Sequence, residues 1–497
     1  HFYSMEWRVN MVSLEDAKKL SQGYKVFPVS KEILSDITTP MQVLRILKGK
    51  SRHCFMLESV EKQEKWGRYT FLGYDPKLEI TCTDGTMFIK NNNGEIKEIK
   101  GVSNPGEYIK EILEDYKSPR IKGLPTFTGG LAGYFSYDYV KYSEPGLKLD
   151  ADGEEGFKDV DLMLFDKVIA FDNLSQKIII IANAATSKMD EEYIRCVKEI
   201  DGITDLIQNG IPAKIVPGKI TTSFTPLFTK EEYCQMVEKA KKHIYEGDIF
   251  QVVLSNRLEA GYEGSLLNTY RILRTINPSP YMFYFSSDDI EVAGASPETL
   301  VKLDGGVLHT FPLAGTRQRG KDEEEDHRLE EELLTDDKER AEHNMLVDLG
   351  RNDLGKISRF GTVEVEHYMD ILKYSHVMHI GSTIKGIIDN GKCSLDAVSA
   401  VLPAGTLSGA PKIKAMEIIN KLENNKRGIY GGAIGYIDFT GNLDTCIAIR
   451  TVFKKNGKIF VRSGAGIVAD SVPEKEYYEC INKAKAVMDA VEKSQKL

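Results

Sequence analysis

Ala433-Ile434-Gly435-Tyr436-Ile437-Asp438-Phe439, Cys446-Ile447-Ala448-Ile449-Arg450-Thr451-Val452-Phe453 and Lys458-Ile459-Phe460-Val461-Arg462 follow one another with no stretch long enough for a helix between any two. Runs rich in β-branched and aromatic residues read as strands. Parallel neighbours need a long crossover, usually helical, so strands this close together argue against a doubly wound parallel sheet. The N-terminal half repeats the theme in Leu78-Glu79-Ile80-Thr81-Cys82-Thr83-Asp84-Gly85-Thr86-Met87-Phe88-Ile89, where Asp84-Gly85 signals a hairpin. The expected fold class is α+β: a large two-lobed antiparallel β-sandwich flanked by helices.

Helices are signalled on both sides of the opening stretch. Thr229 followed by Glu232 makes a capping box, and Tyr233, Met236, Val237, Ala240 and Ile244 share one helical face until Gly247. A strand, Ile249-Phe250-Gln251-Val252-Val253-Leu254, is expected directly after it, with further helices over 336–349, 412–422 and 473–491. Gly210-Ile211-Pro212-Ala213-Lys214-Ile215-Val216-Pro217-Gly218 breaks any periodic pattern. It marks the expected boundary between an N-terminal β-rich lobe, 11–218, and a C-terminal lobe, 219–497. Residues 1–10 read as a leader or an appended remnant; they lack the apolar core and cleavage site of a signal peptide.

Composition narrows the function classes. The chain has 497 residues, 41% hydrophobic and 28% charged, which is globular and long enough for a deep core. Its formal net charge of −9 is spread along the sequence, which speaks against nucleic-acid binding through a basic patch. The longest greasy run, Ile178-Ile179-Ile180-Ile181-Ala182, is far short of the ~20 residues of a membrane span. The 7 cysteines are scattered and form no CxxC pair, so neither a disulfide framework nor a thiolate metal site is suggested. Reduced thiols in a cytoplasmic protein are expected.

The most informative charges are a pair of pairs. Glu339 and Glu342 lie three apart in one predicted helix and Glu476 and Glu479 three apart in another, so each pair projects from one helical face. Four converging carboxylates could hold Mg²⁺ and leave positions for an anionic substrate; the same spacing also suits a solvated face. Ser463-Gly464-Ala465-Gly466-Ile467 reads as a turn whose backbone N–H groups could receive a carboxylate, though it lacks the third glycine of a dinucleotide site. Arg450, isolated in an apolar strand, needs an anion, either a structural partner or a ligand. His379, in Tyr374-Ser375-His376-Val377-Met378-His379, reads by itself as a satisfied core histidine or as a functional one.

Pro403-Ala404-Gly405-Thr406-Leu407-Ser408-Gly409-Ala410-Pro411-Lys412, Ala341-Glu342-His343-Asn344-Met345-Leu346-Val347-Asp348-Leu349 and Val472-Pro473-Glu474-Lys475-Glu476-Tyr477-Tyr478-Glu479 resemble the signatures of chorismate-utilising enzymes. Matching motifs run from about Phe250 to Glu479, with weaker ones reaching back to Met56. Within that family the chain most resembles the large subunits of anthranilate synthases. The resemblance implies the fold of those enzymes and a Mg²⁺ bound by Glu342 and Glu479, with Glu339 and Glu476 in its water-mediated shell, clamping the ring carboxylate of chorismate. It implies substrate contacts from Gly315, Thr316, Thr406, Tyr430, Arg450, Gly464, Ala465 and Gly466. The implied reaction adds ammonia at C2 with loss of the C4 hydroxyl and then eliminates pyruvate, giving anthranilate, the first step of tryptophan biosynthesis. Hydroxide leaves poorly unaided, and Glu298 matches the acid that protonates it. His379 matches the histidine that assists at the leaving oxygen and in the elimination.

Two positions separate relatives. Gln251 stands where isochorismate and salicylate synthases carry the lysine that deprotonates water; ammonia needs no such base. Ala314, in Phe311-Pro312-Leu313-Ala314-Gly315-Thr316, stands where aminodeoxychorismate synthases typically carry a lysine that attacks C2 and diverts nitrogen to C4. Both favour direct amination, with simple packing the other reading of each. Leu313, Gln318 and Met56 depart from the usual family residues without removing a reacting group.

Met56-Leu57-Glu58-Ser59 with Trp66-Gly67-Arg68-Tyr69-Thr70-Phe71-Leu72-Gly73, and Asn277-Pro278-Ser279-Pro280-Tyr281-Met282 in the second half, are similar to the tryptophan feedback element of these enzymes. The resemblance implies L-tryptophan as inhibitor, bound by Ser59, Pro280, Tyr281 and Met282 between the lobes. No cysteine sits in a Gly-x-Cys-x-Gly turn, so a separate glutamine amidotransferase subunit, component II, is expected to supply ammonia in a hetero-oligomer. The rival readings are aminodeoxychorismate synthase component I, on the folate route, and a catalytically idle subunit that senses an aromatic amino acid. Retention of Glu298, Glu342, His379, Arg450 and Glu479 speaks against the idle subunit.

Overall fold

The computed structural model describes residues 11–59, 67–153, 155–373 and 377–497. Residues 1–10, Trp66 and the 374–376 part of the histidine segment therefore lie outside the described residues. The strands form two large antiparallel sheets. The first runs from Val26–Leu34 through Lys177–Ala185, Lys167–Asp172, Tyr69–Tyr74, Cys54–Glu58, Tyr281–Ser286, Ile290–Ser296, Thr451–Lys455 and Lys458–Ile467 to Gln251–Glu263 and Lys219–Ile220. The second runs from Leu313–Gln318 through Val377–Ile387, Val307–Thr310, Thr299–Asp304, Leu443–Ile447, Ala433–Asp438, Gly130–Phe135, Val160–Phe165 and Leu78–Thr83 to Thr86–Asn91 and Ile96–Ile99. Both sheets draw strands from either side of 210–218. The halves join where Cys54–Glu58 pairs with Tyr281–Ser286 and where Gly130–Phe135 pairs with Ala433–Asp438.

Strand periodicity builds two cores from one sheet. Phe55, Phe283 and Phe453 face the second sheet and pack with its Ala132, Tyr134 and Ile434. Their neighbours Met56, Tyr284 and Val452 face the other way, against Leu44, Tyr270 and Val487 of the flanking helices. Alternate side chains leave opposite faces of a strand, and here both faces are covered. That is why the greasy run at Ile178 is buried without interruption.

Local signals fold as their chemistry requires. Asp84 and Gly85 take φ of 47° and 75°, the left-handed pair of a two-residue hairpin turn, with Thr83 opposite Thr86. Thr229 Oγ1 accepts from the Glu232 N–H, and the Glu232 carboxylate accepts from the Thr229 N–H, capping the helix Lys230–Tyr245. The other predicted helices are found as Asp337–Gly355, Lys412–Glu423 and Pro473–Ser494.

Three expectations are corrected. The strand expected at 249–254 starts at Gln251 and runs to Glu263. The glycines at 464–466 form no turn; they lie inside the strand Lys458–Ile467, opposite Ser255, Leu254 and Val253. The apolar run 446–453 is two strands, not one: Leu443–Ile447 belongs to the second sheet, Thr451–Lys455 to the first, and Ala448-Ile449-Arg450 carries the chain between them. An apolar β pattern reports burial but not which sheet receives it. Arg450 marks the break with φ 50°, which a regular strand does not tolerate.

A companion crossing lies beside it. Ile290–Ser296 is in the first sheet, Thr299–Asp304 in the second, and Pro297-Glu298 connects them. The two crossings are hydrogen-bonded together: the Ala295 N–H donates to the Arg450 carbonyl at 3.2 Å and the Ile447 N–H to the Glu298 carbonyl at 3.0 Å. The fold therefore sets an acid and a cation side by side where regular pairing stops.

Candidate active site

Glu298 is the most perturbed acid of this region. Burial pushes its carboxyl up to about 7, against a hydrogen bond from Thr406 and the charges of Arg450 and Lys483. Thr406 Oγ1 donates to Glu298 Oε1 at 2.9 Å. Thr406 comes from the short helical turn Gly405–Leu407, inside the proline- and glycine-rich motif. Burial lowers the proton affinity of Arg450, with Glu298 the opposing charge, yet solvent still reaches the side chain. Among the described residues its guanidinium makes no hydrogen bond or ion pair, so no structural anion partner is found for it there.

His379 comes from the strand Val377–Ile387, next to the second sheet's edge strand Leu313–Gln318. Gly315, at φ 64°, is the extra residue of a bulge between Leu313–Gln318 and Val377–Ile387, which sets Thr316 opposite His379. A Cβ at Gly315 would also sit 2.9 Å from Leu333 Cδ1 and 3.1 Å from Glu339 Oε2. His379 Nδ1 lies 2.9 Å from the Gly315 carbonyl and 3.1 Å from Thr316 Oγ1. A carbonyl only accepts, so Nδ1 carries the hydrogen and Nε2 the lone pair in the neutral ring. Burial and Arg450 lower the ring's proton affinity and favour that neutral form, the Gly315 hydrogen bond opposing them.

The four glutamates come from two helices, Glu339 and Glu342 from Asp337–Gly355 and Glu476 and Glu479 from Pro473–Ser494. Burial and neighbouring Glu339 raise the pKa of Glu342, while a hydrogen bond from Gln251 and the charges of Lys338 and Lys483 lower it. Burial and Glu479 raise the pKa of Glu476, and the same two lysines oppose them. Each helix thus contributes a lysine whose charge acts on a carboxylate of the other helix. Glu339 lies 3.5 Å from Arg317, and Glu479, half exposed, 2.7 Å from Lys483. The carboxylates are not drawn into a tight set. Among the described residues, groups of three or more possible ligand atoms within 4.8 Å are His53, Glu79 and Asp288, and His243, Glu246 and Asp248. Carboxylate oxygens are hard donors, and as a donor set the four glutamates have the chemistry that a hard divalent cation takes.

The glycine strand closes the other wall. A Cβ at Gly464 would lie 2.8 Å from Tyr430 Oη and 2.7 Å from the Leu254 carbonyl; one at Gly466 would lie 2.5 Å from Gln251 Nε2. At Gly464 the contact is with backbone and only glycine permits it; at Gly466 it is with the mobile end of the Gln251 side chain. The pairing with Thr451–Lys455 covers 458–461 and stops, because that strand begins at the crossing, so among the described residues the edge at 464–466 has no strand partner on that side. The structure also assigns a residue that sequence reasoning missed. Lys483 donates to the Gly464 carbonyl at 3.1 Å and acts electrostatically on Glu298, Glu342 and Glu476. Its spacing of four from Glu479 was the available signal, but that spacing reads as an ordinary helix ion pair.

The expected regulatory residues are brought together by strand pairing. Met282 pairs with Glu58, which sets Ser59 beside Pro280 and Tyr281 at the junction of the halves. Tyr281 Oη is engaged by Thr299 Oγ1 at 2.9 Å and Asp444 Oδ1 at 2.8 Å, and Met282 is buried in the outer core. Glu58 accepts from Tyr270 Oη at 2.6 Å and pairs with Arg274.

The family model for chorismate binding enzymes matches residues 52–489. Anthranilate synthase component 1 of Acetivibrio thermocellus is 45% identical over 491 residues, covering 97% of this chain and 98% of its own. That of Aquifex aeolicus is 46% identical over 490 residues, with the same two shares. Among solved structures, anthranilate synthase component I from Streptococcus pneumoniae superposes with a TM-score of 0.75 at 36% identity, over 92% of this chain and 98% of that one. The menaquinone-specific isochorismate synthase MenF of Escherichia coli, at 19% identity and TM-score 0.69 over 96% and 98%, shares the fold.

Proposed function

The chain belongs to the chorismate binding enzyme family, and from that premise we propose that it is the large subunit of an anthranilate synthase, a Mg²⁺-dependent lyase that aminates chorismate with ammonia from a glutaminase partner and is inhibited by L-tryptophan. The observation that carries the reading is the paired crossing: an acid at about 7 beside an exposed guanidinium with no bonded anion among the described residues. Chorismate is a dianion. Arg450, Lys483 and the unpaired edge of the glycine strand offer it two cations and backbone donors.

The leaving C4 hydroxyl needs a proton, and Glu298 holds one at neutral pH within reach of Thr406. His379, neutral and fixed through Nδ1, presents Nε2 to accept a proton as the ring becomes aromatic. Chorismate and ammonia become anthranilate, pyruvate and water. Gln251 has no basic group with which to deprotonate water, and it is already bonded to Glu342, which favours ammonia as nucleophile. Glu342 and Glu479 would hold Mg²⁺, with Glu339 and Glu476 behind water, and the ion would supply positive charge to the ring carboxylate.

Because Tyr281 Oη is occupied, tryptophan would be met by Ser59 and by the backbone of 280–282. The bond from Tyr281 to Thr299, the residue after Glu298, gives such a ligand a route to the acid. Incubation with chorismate, Mg²⁺ and ammonium tests the whole reading. Anthranilate fluorescence with stoichiometric pyruvate, suppressed by added tryptophan, is expected. Aminodeoxychorismate as product, or no turnover, overturns it.

A further inference from the structure

Glu298 owes its hydrogen bond to a loop, and the loop is held at both ends. Residues 402–411 leave the helix Ser394–Val401 and return to the helix Lys412–Glu423, with Thr406 midway. Lys412 Nζ donates to Asp353 Oδ2 at 2.6 Å and to the Val401 carbonyl at 3.1 Å. One ammonium therefore ties both ends of the loop together. Asp353 fastens that tie to the helix Asp337–Gly355, the same helix that presents Glu339 and Glu342. The two side chains are only 10% and 4% exposed.

A cavity lined by Leu346, Gly350, Asp353, Val401, Thr406 and Glu298 lies between loop and helix. Part of this contact is unfilled, so close packing alone does not define the height of Thr406. A buried ion pair is a poor device for stability, since apolar residues of similar volume often do as well or better. What it supplies is a directed, fixed length. We propose that Lys412 and Asp353 are a positioning pair for Glu298, acting through Thr406, and that they hold the acid in register with the glutamate-bearing helix. The proposal rests on the reading of Glu298 as the acid and adds the residues that place it.

The test replaces the pair as a unit, Lys412→Met with Asp353→Leu, and follows the Glu298 carboxyl by NMR in the free enzyme with ¹³C-labelled glutamate, assigned against Glu298→Gln. Thr406 stabilises the charged carboxylate, so its displacement is expected to raise the Glu298 midpoint by about one pH unit. The value of kcat is expected to fall about tenfold with KM unchanged. Thr406→Val alone should give the same rise and add nothing in the pair-replaced background, while Lys412→Arg restores the midpoint. If the double replacement does not fold, Asp353→Asn carries the test with the same expected rise. An unmoved midpoint in the folded pair-replaced, Thr406→Val or Asp353→Asn variant, a moved one in Lys412→Arg, or shifts that add, overturns the proposal. Because the titration is read without substrate, a chain that shifts as expected but never turns over chorismate overturns the assignment of the acid and leaves the positioning intact.

Discussion

Two neighbouring regions of this molecule treat charge in opposite ways. Behind the glycine strand, Glu423 accepts from Arg427, Arg462, the Ser255 hydroxyl and the Ser255 N–H, and these three charged side chains are at most 1% exposed. Arg427 spends its remaining donor capacity on the Val253 and Leu407 carbonyls, and Arg462 on Ser255, Asn425 and Lys426. In front of the strand, Arg450 has no anion within bonding distance among the described residues, Glu298 is held near neutrality, and Glu342 feels the like charge of Glu339. The lesson is one of compensation. A buried charge that is fully bonded serves the fold, and one left short of partners is a candidate for a ligand contact.

The contrast can be broken most forcefully at Glu298. Glu298→Gln should reduce kcat/KM for chorismate by about 10² to 10⁴ fold while the chain stays folded. In the wild type the acid must be protonated, so kcat/KM measured at constant free ammonia should fall as pH rises through about 7. The stability sign is opposite to that of a salt-bridged carboxylate. The folded carboxyl keeps its proton from its ordinary 4.5 up to about 7, so stability falls with rising pH across that window. Above it the glutamine variant should be the more stable by up to about 3 kcal/mol in urea titrations.

Behind the strand the expected damage is to the fold itself. Glu423→Ala leaves two buried guanidinium groups without their anion, and urea unfolding should show a loss of about 3–5 kcal/mol. If the loss were under about 1 kcal/mol, the distinction between the regions would fail. Arg450→Gly sharpens it from the other side. That variant gives up no partner and relieves a left-handed backbone, so stability should hold within about 1 kcal/mol while KM for chorismate rises about 10- to 100-fold. The smallest effect is that of the cation. Mg²⁺ at ten times its dissociation constant should stabilise the chain by about 1.4 kcal/mol, and Glu342→Gln should abolish the gain in a thermal shift series.

The residues in contact with near neighbours in sequence behaved as their pattern implied. The Thr229 capping box, the Asp84-Gly85 turn and the glutamates at spacing three need only local geometry, and each is found as expected. The site was legible through its motifs: Thr406 meets Glu298, Thr316 meets His379, and Tyr430 and Gln251 meet the glycine strand. Missed were the break at Arg450, the strand character of 464–466, the role of Lys483 and the tie from Lys412 to Asp353. None of these has a local signature. An apolar run looks the same whether it stays in one sheet or crosses to another, and a lysine at helical spacing looks the same in solvent or in a cleft.

By itself, then, the amino-acid order determined the antiparallel class, the helix ends and the set of residues available for chemistry, because those follow from dihedral preferences and hydrogen bonds a few residues apart. Tertiary structure alone decided which of those charges are compensated. An ionised group takes its character from the solvent it loses and the partners it gains. Those partners lie 59 positions away for Lys412 and Asp353 and 108 for Thr406 and Glu298.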